Sequence, residues 1–271
     1  MRRLALFLPL FVLSACAASA PQPDLRRPLP EDASSSSEWE VPASSAPAAS
    51  SVSSVHPVSL EALTRQAYDG RDLTLGTVQS DNAAYTRYTI SYKSGDLTIS
   101  GILNIPKGQG PFPVLFLNHG YIDPAVYTNG RGLKREQDFF ARSGYAVLHS
   151  DYRNHAQSDK DPESLENLRI GYVEDVINAV YAVRALADPR LDGERVGMLG
   201  HSMGGGVTMN VLVSQPGLVD AAVLYAPVSA EAWKNVDRWT RVRPEMAAIS
   251  ERYGTPETQP EFWRGASART Y

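Results

Sequence analysis

Gly200-His201-Ser202-Met203-Gly204 gives this chain a serine with the spacing that nucleophilic chemistry needs. The apolar run Val196-Gly-Met-Leu199 leads into it, and helix-forming residues follow. In a strand–turn–helix setting, Gly-x-Ser-x-Gly forms a nucleophile elbow, with the serine hydroxyl lifted above the sheet. Gly200 and Gly204 lack a Cβ, so strand and helix can pass close together. The Met203 N–H would open the helix and face a developing oxyanion.

A serine hydroxyl needs a neighbouring base to become nucleophilic. The chain has five histidines: His56, His119, His149, His155 and His201. None follows Ser202. His201 adjoins the serine on the turn, and its side chain should leave on the other side. His119 ends a strand, His149 lies within one, and His56 falls before the domain. His155 sits on a loop near the rim and is the nearest to a candidate base. All five read as structural. The acids after Ser202 are Asp220, Glu231, Asp237, Glu245, Glu251, Glu257 and Glu261, and none ends an apolar strand. No metal-ligand cluster or nucleotide-binding loop is visible, so no cofactor and no metal are expected.

The elements that must position Ser202 are legible from periodicity. Residues 59–68 read as a short leading helix. Residues 85–92 and 97–105 alternate and form an antiparallel hairpin around Ser94-Gly95-Asp96. The runs 113–118 and 145–149 are continuously apolar, as expected of strands covered on both faces. Residues 133–143 read as an amphipathic helix with Phe139 and Phe140 inward. Residues 172–186 place Val173, Val176, Ile177, Val180 and Val183 on one helical face. The elbow strand, its helix to about Ser214, and a strand over 221–225 follow. Strands alternate with helices, so the class is α/β with a mainly parallel sheet. After Pro227 the sequence turns polar and helical, with no further strand. Arg238, Arg241 and Arg243 read as a solvated helix face.

Composition sets the outer organisation. Arg2-Arg3 and the apolar stretch 4–13 read as a signal peptide over residues 1–15, too short to span a bilayer. Leu13-Ser14-Ala15-Cys16 follows, and Cys16 is the only cysteine. Residues 16–56 are Ser-, Ala- and Pro-rich and read as a disordered tether. Residues 57–271 suit one domain. A net charge of −4 with interspersed signs gives no basic block for nucleic acid.

The N-terminal segment resembles the lipobox of bacterial lipoproteins. That implies lipidation at Cys16 and a place in the cell envelope, on the outer face of a membrane. The domain resembles an α/β-hydrolase, most of all the prolyl-oligopeptidase catalytic domain and dienelactone-hydrolase-like esterases. The matching pieces are the hairpin, His119-Gly120, the Asp151-Tyr-Arg loop, the Asp188-Pro189 approach and the Ser202 motif, over about 86–227. The resemblance implies acyl transfer on an ester or peptide bond. The Tyr121 and Met203 N–H groups would be the oxyanion donors, each typically worth ~3 kcal/mol in the transition state.

Two departures accompany it. Arg153-Asn154-His155-Ala156-Gln157-Ser158-Asp159 resembles an Arg-Gly-His-Gly-x-Ser-Asp pattern with both glycines replaced, which questions that loop's close backbone packing. The family also orders its triad serine, acid, histidine, and no histidine follows Ser202 here. The expectation is a fold cut before its last two strands and inactive alone, with a small ester as the preferred substrate. The alternative is a non-catalytic lipoprotein that binds a ligand in the same pocket.

Overall fold

The computed structural model describes residues 55–271. The expected signal peptide, Cys16 and the tether up to residue 54 lie outside the described residues.

Seven strands form one sheet in the order β1-β2-β3-β5-β4-β6-β7. Three antiparallel strands, β1 (Arg71–Asp81), β2 (Tyr85–Ser94) and β3 (Leu97–Pro106), make one flank. Gly95-Asp96 joins β2 to β3, and Gly95 at φ 56° takes the left-handed turn conformation. β3 meets β5 (Ala146–Ser150) antiparallel. From there β5, β4 (Phe112–Asn118), β6 (Leu191–His201) and β7 (Ala221–Tyr225) run parallel. The sheet is therefore mixed, with its parallel half holding the central apolar runs.

β1 carries no sequence signal of comparable strength. Only Leu73 is buried along it, and its pairing with β2 shifts register three times. Tertiary pairing creates this strand where alternation is faint.

α2 (Lys134–Arg142) follows β4, and α3 (Ile170–Leu186) carries the chain from β5 across to β6. β5 and β6 thus leave β4 on opposite sides. Such a reversal opens a crevice beyond the carboxyl ends of the strands. Ser202 follows β6 and Gly120-Tyr121 follow β4, so the topology places both at this crevice. The expected face of α3 is buried through Val173, Val176, Ile177, Val180 and Val183.

α2 corrects the sequence reading in part: Phe140 packs against the cluster of Leu115, Leu117 and Val147 as expected, and Phe139 does not. Its buried residues are Gln137 and Ala141, while Phe139 is 63 % exposed and Phe140 half-buried. Gln137 goes inside because its amide has partners there. Its Nε2 donates to the carbonyls of Gly130 and Gly132 at 3.1 and 2.7 Å, and its Oε1 accepts from Arg87 at 2.7 Å. A fully bonded amide can replace an aromatic ring in a core.

α1 (Leu60–Arg65), α5 (Ala232–Thr240), α6 (Pro244–Tyr253) and α7 (Pro260–Gly265) complete the described chain, with α4 (Met203–Ser214) after the elbow. Val58, Val236, Ile249, Tyr253 and Trp263 form a separate core under the last three helices. His56, expected within the tether, packs edge-on against Tyr253 and Phe262. No helix of the described residues is long and apolar enough to cross a membrane.

Candidate active site

Ser202 joins β6 to α4 at φ 54°, ψ −117°, a conformation L-residues rarely adopt. Its surroundings hold it there. The Ser202 N–H donates to the Tyr225 carbonyl at 3.1 Å, and the Ser202 carbonyl accepts from Val228 at 3.1 Å and Gly205 at 3.0 Å. The flanking glycines are required by contact. A Cβ on Gly204 would stand 2.0 Å from the Asn118 carbonyl oxygen, and one on Gly200 would stand 2.2 Å from the Gly204 oxygen. The Met203 N–H is the first of α4 and has no intrahelical acceptor.

The facing loop starts at Gly120, where a Cβ would come 3.2 Å from that of Ser202. Tyr121 and Met203 both line the cavity that Ser202 faces. Among the described residues, no protein acceptor meets the N–H of Tyr121 or Met203. Asp151, after β5, anchors the neighbouring loop. Its carboxylate is fully buried and accepts from Tyr127, Gly130, Ser100 and Asn129 at 2.6–2.8 Å. These four donors satisfy the buried carboxylate.

Two concavities meet at Ser202. The larger, about 630 Å³, is walled by apolar residues including Leu168, Val173, Val207, Val236 and Trp239. The smaller, about 290 Å³, lies between the segment after β7 and α5, beside Lys234 and Arg238. Arg169 and Arg243 also line the larger one. Arg243 is exposed, as expected of a solvated residue, but it lies in the turn between α5 and α6 rather than on a helix face, and that turn sets it at the edge of the cavity. Arg169 and Trp239 carried no motif, and only the packing of α3 and α5 over the crevice identifies them.

Comparison with known proteins agrees with this fold. The family described as serine aminopeptidase, S33, matches residues 110–259, more than half of the chain. The chain belongs to this family of α/β-hydrolases. Human acyl-coenzyme A thioesterase 1 is 29 % identical over 131 residues, covering 48 % of this chain and 28 % of that protein. Esterase EstD of Thermotoga maritima is 30 % identical over 144 residues, covering 51 % and 33 %. The matches thus span about a third or less of these relatives' own length. Among solved structures, the acetyl xylan esterase of Paenibacillus sp. R4 superposes with a TM-score of 0.53 at 21 % identity, over 77 % of this chain and 70 % of that one. The acylaminoacyl peptidase of Pyrococcus horikoshii gives 0.50 at 21 % identity, over 68 % and 30 %. These likenesses show the fold.

Among the described residues none of the histidines hydrogen-bonds Ser202. His155 is fully buried rather than at the rim, with Nδ1 against the Arg153 carbonyl at 3.1 Å and Nε2 against that of Ile122 at 3.2 Å. His119 faces the carbonyls of Gly120 and Asp151 at 2.7 and 3.3 Å. Each ring turns both nitrogens to acceptors, and a neutral imidazole donates through only one. Burial outweighs that attraction for a proton, lowering both and bringing His119 to about 4. His149 is buried against His119, with neither nitrogen bonded. His201 has its ring near Tyr225 but does not leave on the other side as expected: it lines the large cavity with Ser202, and its Nδ1 borders Gly120 of the facing loop.

The loop after β5 keeps its close packing although its glycines are replaced. Asn154 and Ala156 adopt φ 72° and 46° where the related pattern has glycine. Arg153 secures the loop from inside by pairing with Asp175, Glu174 and Asp161 at 2.9–3.1 Å. Among the described residues no group of three metal-ligating side chains converges.

Proposed function

We propose that Ser202 is the nucleophile of a serine hydrolase that transfers the acyl group of a small ester or thioester. The observation that carries this is the strained Ser202 turn, opening onto a cavity of about 630 Å³ beside two N–H groups without acceptors. Strain of this kind costs on the order of 1–3 kcal/mol and collects at functional sites. In the reaction, Ser202 Oγ attacks the carbonyl carbon and its proton passes to a base. The Tyr121 and Met203 N–H groups hold the developing oxyanion. The alcohol or thiol leaves with a proton, and water then releases the acid from the acyl-serine. The cavity wall contains no Asp or Glu among its described residues, so it offers no counterion for the free amino terminus of a peptide. This favours an ester over an aminopeptidase substrate, as do the names of the thioesterase and EstD relatives.

The sequence has no histidine besides the five already placed. We propose that a histidine and its orienting acid come from polypeptide outside this sequence and enter beside β7. Every residue of β7 is exposed, and the smaller concavity beside Ser202 opens on that side. The present chain should then turn over p-nitrophenyl acetate only slowly. A protein extended by the downstream reading frame should be labelled by a fluorophosphonate at Ser202, and Ser202→Ala should remove all labelling. Labelling unchanged in Ser202→Ala would overturn the proposal. Enzyme-like turnover by residues 1–271 alone, abolished by Ser202→Ala, would place the base inside this sequence. The rival reading is a non-catalytic ligand-binding protein, favoured by the lack of any histidine contact with Ser202. An extended protein that binds esters yet resists labelling would establish it.

We further propose that Cys16 is lipid-modified and holds the domain at the outer face of a bacterial membrane. Leu13-Ser14-Ala15-Cys16 after a short apolar stretch supports this. Mass spectrometry of the membrane fraction should find a diacylated mature N-terminus at Cys16. An unlipidated N-terminus elsewhere would refute it.

A further inference from the structure

Arg153 and Arg169 are both at least half-buried, sixteen residues apart in sequence, and their surroundings differ. Arg153 is met by three carboxylates. Arg169 lies in the wall of the large cavity, and no carboxylate among the described residues stands within ion-pair distance of it. Its guanidinium instead covers the Tyr121 ring, 5.5 Å from the centroid. The Tyr172 hydroxyl, in the same wall, also lies close enough to take one of its hydrogen bonds. The aromatic face and this hydroxyl fix the group, and with five N–H donors it keeps others for a further partner.

The backbone around Arg169 is held out of its ordinary range. Leu168 and Arg169 both adopt φ 55°, in succession, just before α3. The Arg169 N–H closes this turn on the Ser164 carbonyl at 2.7 Å, and the Leu168 N–H closes on that of Leu165 at 3.1 Å. Two successive left-handed non-glycine residues are costly, and such strain collects where a side chain must be aimed. Here it carries Leu168 and Arg169 to the cavity wall together.

The charge balance of the cavity runs against that of the chain. The whole sequence has 30 acidic and 26 basic residues. The cavity wall has two arginines, Arg169 and Arg243, and no acid. A concave, largely apolar wall with one sign of charge concentrates the potential and attracts the opposite sign.

From these observations we infer that Arg169 is the counterion for an anionic group on the substrate. The ligand of the cavity is then an amphiphile, with an apolar body and a carboxylate or phosphate. Tyr121 has two roles in this arrangement: its backbone faces the reacting carbonyl and its ring steadies Arg169. The inference extends the acyl-transfer proposal by naming the substrate class, but the binding it describes does not depend on Ser202 chemistry.

Calorimetric titration of the purified chain at low salt tests it with three probes. Monomethyl adipate carries an ester and a carboxylate, dimethyl adipate is its neutral counterpart, and hexyl phosphate carries the other anion. The half-ester should bind at least about tenfold more tightly than the diester, the scale of a hydrogen bond to a charged partner. Arg169→Gln should bring the two within about twofold, and Arg169→Lys should keep a preference of at least about threefold. Melting temperatures of both variants report whether they fold. Tighter binding of hexyl phosphate than of the half-ester, lost in Arg169→Gln, would support the inference and identify the anion as a phosphoryl group. Equal binding of half-ester and diester would overturn it. So would a preference that survives in Arg169→Gln or vanishes in a folded Arg169→Lys. Fluorophosphonate labelling separates the two proposals. Charge-selective binding through Arg169 without labelling of the extended protein would sink the nucleophile reading and leave this one standing.

Discussion

The elbow around Ser202 and the histidine cluster beneath the facing loop lie on adjacent strands and have opposite physical characters. At the elbow the backbone is strained, two N–H groups have no acceptor, and the serine faces a cavity. In the cluster, His119, His149 and His155 are fully buried among Tyr127, Tyr152 and Tyr172. Burial holds all three rings neutral. Residue type would nominate the histidines as bases. Their environment assigns them to packing, because a base must reach the proton it takes. The comparison teaches that chemical competence here depends on unsatisfied groups that can be approached, more than on titratable residues.

The sharpest way to break the contrast is at the elbow's close approach. Gly204→Ala sets a Cβ 2.0 Å from the Asn118 oxygen, which is main chain and cannot move aside. The expected cost is about 3 kcal/mol, or a fall of ~6–12 °C in melting temperature, with loss of fluorophosphonate labelling in the extended protein. A variant that melts with the parent and labels normally would show that the elbow is looser than described.

A comparable effect should come from acid acting on the cluster. The folded His119 titrates at about 4, below the ordinary value of 6.5. Unfolding then takes up protons, so the stability contributed by the neutral ring is complete above about pH 6.5. It falls as the pH drops from there towards 4, by about 3 kcal/mol for His119 alone. His149 and His155 act in the same direction. Denaturant melts between pH 7 and 4.5 should show this loss, and stability that stays flat across that range would mean the rings are not held neutral by burial.

The smallest effect separates the members of the cluster. His149 has two buried nitrogens without partners, so His149→Leu removes two unsatisfied polar atoms at little change in volume. A gain of about 1 kcal/mol is expected, whereas His119→Leu should destabilise because its carbonyl partners are left behind. A destabilised His149→Leu, measured by urea unfolding, would mean that His149 has a partner in solution.

The chain announced its architecture through local patterns. The continuous apolar runs at 113–118 and 145–149 became β4 and β5, displaced by at most one residue. The valine face of α3 and the hairpin around Gly95 followed from spacing. Ser202 was legible because Gly-x-Ser-x-Gly after a strand restricts what the backbone can do. β1 was not legible, because its alternation is weak and its partner supplies the order. The inward face of α2 was legible at Phe140 and misread at Phe139, because a periodicity argument ranks Phe139 above Gln137 and cannot foresee the carbonyls of Gly130 and Gly132 that take up the amide.

By itself, then, the sequence determined most of the strands and helices, though not β1, as well as where the turn must be strained and that no histidine follows Ser202. Each of these is a property of neighbours along the chain. Only the tertiary structure decided that His155 is buried, that Arg169 and Arg243 line a cavity whose wall holds no acid among the described residues, and that β7 is left exposed. The reason is physical: burial, pairing and local charge are fixed by residues far apart in sequence, which meet only when α3, α5 and the loops after β4 and β6 converge on one crevice.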